Sequence, residues 1–275
     1  MRKNGSGFTL TELAVVLAIV GLLIASGMYT LTAQMEQRNY EETRSRLAQA
    51  RELLLAYAIV NGRLPCPARS TSGGLEVRDA VTGQCTGGGV EDHYGGTFNV
   101  GGTTTVGGLL PAATIGYSLV DSSGFALDPW QGTIRYAVAK TLTGCSGSST
   151  LPHFVHAANL KANGTTCQPS DLIVCRSSTG MTSAACGGAA NQVMTQNLVV
   201  AIVFSTGKNG PTTGGTGADE KANLKTTALA PAINPVFVFH TPAPSDAANG
   251  EFDDQFTWIT VGEFYGKLIA AGVLP

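Results

Sequence analysis

GFTLTELAVVLAIVGLLIASGMYTLTA, residues 7–33, is the stretch from which the rest of the chain is read. Glu12 is the only charged residue between Asn4 and Met35. An apolar run of this length predicts a membrane-spanning helix, because about 20 residues at ~1.5 Å rise cross a hydrocarbon core. Arg2 and Lys3 precede it with no acid nearby, which holds the N-terminus on the cytoplasmic side and leaves the bulk of the chain outside the cytoplasm. Glu12 stands against this pattern. A carboxylate ionised within lipid costs roughly several kcal/mol, so it needs a partner or a role.

A short basic leader ending in Gly7, then Phe8, then a carboxylate at the fifth position from Phe8, resembles the processing site of type IV pilins and type II secretion pseudopilins. The resemblance implies a leader, residues 1–7, removed by a prepilin peptidase between Gly7 and Phe8. It implies N-methylation of Phe8 and makes Glu12 the family's fifth-position glutamate. In a bundle of such helices a buried carboxylate can pair with the positive N-terminus of a neighbouring subunit. Two other readings exist: a secretory signal peptide cut near Ala25-Ser26-Gly27, and a plain single-span anchor. A signal peptide's apolar core is ordinarily shorter, and neither reading accounts for a lone acid five residues after a glycine.

The 275 residues are enough for a real core outside the membrane. Seventeen basic against 19 acidic residues form no polyanion-binding composition, which argues against a nucleic-acid partner. Thirty-five glycines, many beside Thr and Ser, predict long irregular loops. Cys66, Cys85, Cys145, Cys167, Cys175 and Cys186 suit an oxidising compartment, and no CxxC supports a zinc ribbon or a redox motif. Pairing local in sequence favours Cys66–Cys85, Cys145–Cys167 and Cys175–Cys186, each worth ~3 kcal/mol in the chain-entropy picture.

Beyond the apolar run the helical pattern continues. Tyr40, Leu47 and Leu54 recur every seven positions, Ala50 and Tyr57 follow the last two by three, and charges fill the other faces. One helix from Phe8 to about Val60 would be roughly 80 Å long at ~1.5 Å per residue. Asn61-Gly62 ends it and Pro65-Cys66-Pro67 prevents its return. Residues 70–108 read as a long loop pinned by Cys85, with room for one short hairpin.

Thr133–Ala139 alternates as a strand after the Asp128-Pro129-Trp130 turn, an arrangement that resembles the major pseudopilin of type II secretion. Residues 141–197, with four cysteines, read as a disulfide-stapled excursion containing one strand, 171–175. Leu198–Phe204 is the most apolar stretch outside the first helix and predicts the central strand. Val236–His240 and Phe256–Val261 predict further strands, and Glu263–Ala271 a closing helix. Helix first and strands afterwards make an α+β fold: a long N-terminal helix on an antiparallel sheet. The divisions expected are 1–7 leader, 8–33 membrane half of the helix, 34–62 its periplasmic half, and 63–275 the globular domain.

No catalytic set emerges, so the chain does not read as an enzyme. Ser205-Thr206-Gly207-Lys208-Asn209 approaches a phosphate loop, but Ile202 replaces its first Gly and Asn209 its Ser/Thr. Gly144-Cys145-Ser146-Gly147-Ser148 approaches a nucleophile elbow but lacks the second Gly. His153 and His156 lack a third ligand and read as surface histidines. The resemblance to major pseudopilins implies calcium in a loop after the central strand. Asp219, Glu220, Asp253 and Asp254 are the oxygen donors that two loops could bring there, although Lys208 stands near where that family places an acid. Their other reading is solvated loop acids or turn caps. No further cofactor is expected.

The function expected is structural: a minor or specialised subunit of a type IV pilus-like or type II secretion filament. Its partners would be the inner membrane, the prepilin peptidase and other pilin or pseudopilin subunits. The alternative is a filament-tip adhesin or substrate-binding module on the same helix.

Overall fold

Helix α1 runs from Leu10 to Asn61, 52 residues with no proline to break it. The computed structural model describes residues 9–87, 90–140, 152–210, 215–225 and 234–274, with the side chains of 25–31 outside that set. The chain divides into two compact units, Met1–Glu42 and Thr43–Pro275.

In the first unit the described chain is helix. Every large apolar side chain from Leu10 to Ile24 is at least 44% exposed. Positions 15–17 and 22–24 are all among them, so the apolar surface goes right round the helix rather than forming one stripe.

In the second unit α1 becomes one-sided. Leu47, Ala50, Leu54 and Ala58, spaced by three and four, are buried in the principal core. Each buried Leu contributes roughly 1.5–3 kcal/mol by leaving water. Gly62 ends the helix with φ +66°, a conformation that costs an L side chain energy and glycine almost none.

The principal sheet takes up that stripe. Strand β5 spans Arg135–Val138, β8 Val199–Ser205 and β10 Gln255–Thr260, in the order β10-β8-β5 and antiparallel throughout. Trp258 lies opposite Ile202, and Tyr136 opposite Val203. All seven residues of β8 are buried, as its continuous apolar run requires of a strand covered on both faces. Helix α5, Val261–Ala270, follows β10 directly and buries Phe264, Tyr265 and Leu268. Arg51 of α1 donates to Trp258 O at 3.1 Å and pairs with Glu263 of α5, locking helix, strand and closing helix together.

Two features differ from the sequence expectation. Residues 70–108 hold two hairpins, β1 (Thr86–Gly87) with β2 (Val90–Glu91) and β3 (Gly96–Val100) with β4 (Thr103–Gly107). The second turns through Gly101 and Gly102, both at positive φ as a tight hairpin requires. A second sheet, β7 (Gln192–Met194), β6 (Ile173–Cys175) and β9 (Val236–Val238), contains a parallel pair, β6 with β9. Parallel partners need a long crossover, and here 60 residues lie between Cys175 and Val236. Phe154, Val155, Leu160, Leu172 and Val174 belong to the principal core, so much of the 152–197 segment is integral to it. Short helices α2 (Ala112–Ile115), α3 (Ala157–Asn163) and α4 (Ala218–Asn223) lie in the connections between strands.

Candidate functional site

The start of α1 is closed by a reciprocal cap. Thr9 Oγ1 accepts the Glu12 N–H at 3.3 Å, while Glu12 Oε2 accepts the Thr9 N–H at 2.9 Å and the Thr9 hydroxyl at 2.7 Å. Thr9-Leu10-Thr11-Glu12 is thus a capping box, a use of Glu12 that its place in an apolar run did not suggest. Gly7 and Phe8 lie outside the described residues. Among the described residues no helix is long and apolar enough to cross a membrane.

Cys66 is bonded to Cys85 and Cys175 to Cys186. Cys167 is also disulfide-bonded, and its expected partner, Cys145, lies outside the described residues. The first bridge sits in a dense polar knot. Glu76 accepts the Cys66 N–H at 2.9 Å and takes a two-pronged ion pair from Arg63 at 2.6 and 2.9 Å. Burial works against the Glu76 charge, yet Arg63 and the Cys66 N–H hold the carboxyl below its usual range.

A second constellation forms where the loop after β8 meets the first turn of α4 and the residues before β10. Glu220, Asp253 and Asp254 are buried there, with one oxygen of each within 4.8 Å of the others. The loop after β8 is shaped around them. Gly207, at φ +62°, would place a Cβ 1.9 Å from Asp253 Oδ1, so only glycine fits. Lys208 N–H donates to Asp253 Oδ2 at 2.9 Å. Asn223 Nδ2 donates to Asp254 Oδ2 at 2.7 Å.

The three carboxylates are not equivalent. Glu220 accepts N–H groups from Thr216 (2.8 Å), Gly217 (3.1 Å) and Asp253 (3.2 Å), so it clamps the loop. Asp253 and Asp254 each keep one buried oxygen, Oδ1, with no hydrogen-bond partner. Burial pushes Asp253 up to about 7, opposed by the Lys208 N–H and reinforced by the Glu220 carboxylate. Burial drives Asp254 well above the carboxylate range against its Asn223 bond. The buried Arg135 guanidinium is a positive charge felt by Asp254. Like charges this close, with orphaned oxygens, form a donor set suited to a hard cation.

Asp219 does not join this set. It accepts the Ser178 N–H at 2.6 Å and meets His240 Nε2 at 3.1 Å. Asn223 and Gly207 are contributors that reading the acids alone passed over. Their signal lay in the loop that follows the central strand and in the helix that carries Glu220.

Other candidates resolve into structural roles. Ser205 Oγ donates to Asp128 Oδ2 at 2.6 Å, and Asp128 Oδ1 caps its own turn by accepting from Trp130 and Gly132. His153 is buried, contrary to the surface expectation, and its Nε2 meets the Tyr265 hydroxyl at 2.9 Å. His156 caps α3 by accepting the Asn159 N–H. The Gly144–Ser148 segment lies outside the described residues. A cavity of about 520 Å³ opens between 184–189 and 192–197, lined by Ala, Gly and uncharged amides such as Gln192 and Asn197.

The class of chain that this N-terminus defines is set by residues 2–28, which match the family model described as the prokaryotic N-terminal methylation motif. That motif is the type IV pilin and pseudopilin signature, so the chain carries the mark of a pilin-like substrate of a prepilin peptidase. The signature implies a structural subunit rather than an enzyme, and export to the cell envelope. Compared in addition with curated proteins and with solved structures, the chain matches none.

Proposed function

We propose that the chain is a minor or specialised subunit of a type IV pilus-like or type II secretion filament, held before assembly in the inner membrane by α1. The observation that carries this reading is the first half of α1, apolar on all sides and exposed, within the methylation signature. Such a surface is stable only in lipid or among like helices. Glu12, freed from its cap or sharing it, would meet the new amino terminus of the adjacent subunit. Mass spectrometry of the mature chain is the test. An N-methylated Phe8 start supports the reading, and a start near Met28 replaces it with an ordinary signal peptide.

The acidic trio gives the globular part a calcium site, with Asp253 and Asp254 as ligands and Glu220 as the loop clamp. Two buried carboxylate oxygens without hydrogen-bond partners support this. A second reading, a binding module at the filament tip, is favoured by the cavity beside the Cys175–Cys186 loop. Its volume falls within the range of about 300–1,000 Å³ usual for ligand sites.

A further inference from the structure

Asp219 and Glu220 are neighbours in the first turn of α4, yet they hold different segments of the domain. Glu220 gathers the N–H groups of Thr216, Gly217 and Asp253 around the carboxylate trio. Asp219 accepts from Ser178 N at 2.6 Å and from Asn249 Nδ2 at 3.1 and 3.2 Å. Ser178 lies inside the loop closed by Cys175–Cys186. Asn249 Nδ2 also donates to Ser177 Oγ at 2.6 Å. From the other flank Asn191 donates to Ser177 O at 2.9 Å and Cys186 O at 2.8 Å. One helical turn therefore ties the disulfide loop to the trio.

We propose that the first turn of α4 couples the Cys175–Cys186 disulfide to cation occupancy of the Asp253–Asp254 site, each stabilising the other. The inference rests on the calcium reading above. Without a cation the buried Oδ1 atoms of Asp253 and Asp254 have no partner, and the segments that Glu220 clamps are held less firmly. With the turn loosened, Asp219 holds Ser178 less firmly and the disulfide loop opens more often. Cys175 is fully buried and Cys186 is 5% exposed, so a reductant reaches their sulfurs only through such opening. Linkage makes the effect reciprocal: the factor by which calcium shifts the reduction equilibrium of the disulfide is the factor by which the intact disulfide raises calcium affinity.

The test measures reduction by dithiothreitol of the full chain in detergent, with excess calcium or with a calcium chelator. Two electrons and two protons pass from the dithiol to the cystine, leaving two thiols and the cyclic disulfide of the reagent. Alkylation and mass mapping follow each bridge separately. Calcium should slow reduction of Cys175–Cys186 by roughly tenfold, a common coupling strength, and leave the buried Cys66–Cys85 bridge within about twofold. Asp219→Asn should keep calcium binding but lose the protection. A Cys175→Ser/Cys186→Ser double variant should bind calcium more weakly, measured by calorimetry. Calcium binding with unchanged reduction rates and unchanged affinity in the double variant overturns the coupling alone. No calcium binding by the unaltered chain overturns both the site and the coupling.

Discussion

Glu12 and Asp253 show how one carboxylate is tolerated in an apolar setting by two different means. Glu12 closes a capping box with Thr9, two hydrogen bonds that also fix where α1 begins. Glu12→Ala should leave membrane insertion and leader removal intact but reduce incorporation into filaments, because the partner for a neighbouring amino terminus is gone. Glu12→Gln keeps the acceptor oxygen without the charge and should also incorporate poorly. Normal incorporation of both variants would show that Glu12 makes no assembly contact. Asp253 is raised from 3.8 to about 7 by burial. The folded state holds that proton more tightly than the unfolded chain, so stability falls as pH rises from about 4 to 7. A cation takes the proton's place. Saturating calcium should therefore raise Tm more at pH 8 than at pH 5, and equal shifts at the two pH values would remove Asp253 from the ligand set.

Helix α1 is one element with two surfaces. From Leu10 to Ile24 it is apolar all round, whereas from Leu47 to Ala58 only a stripe enters the core. Leu54→Ala should cost the domain about 2–5 kcal/mol, since its site is fully buried in the principal core. Leu13→Ala, on a side chain 56% exposed, should leave the domain's melting unchanged. Thermal melts of both variants in detergent check the contrast. A similar loss at both positions would mean that the first half of the helix stabilises the domain directly.

A principal core shared by α1, the antiparallel β10-β8-β5 sheet and much of the 152–197 segment leaves few ways to detach a part without loss. The second sheet joins that core through Val174 and Phe237, while Ile173, Cys175, Cys186 and Val236 form a cluster of their own beside the disulfide. Immunogold labelling of assembled filaments distinguishes the two roles. Label along the whole length is expected for a structural subunit, and label confined to the ends would favour the binding module.

Elements dictated by local pattern were legible without coordinates. The extent of α1 follows from an unbroken helical period and its end from Gly62. The central strand at 199–205 follows from a buried apolar run, and the pilin-like signature from Gly7, Phe8 and Glu12 at fixed spacing. What brings distant residues together was not legible. The parallel pairing of β6 with β9 depends on packing across a crossover of 60 residues. The division of labour between Asp219 and Glu220 depends on which way two adjacent side chains leave one short helix. Composition and period specify which residues must be buried, because apolar surface leaves water whatever its partner. Which acids converge is settled by backbone paths that meet only in the folded chain, and no spacing along 275 residues encodes that meeting directly.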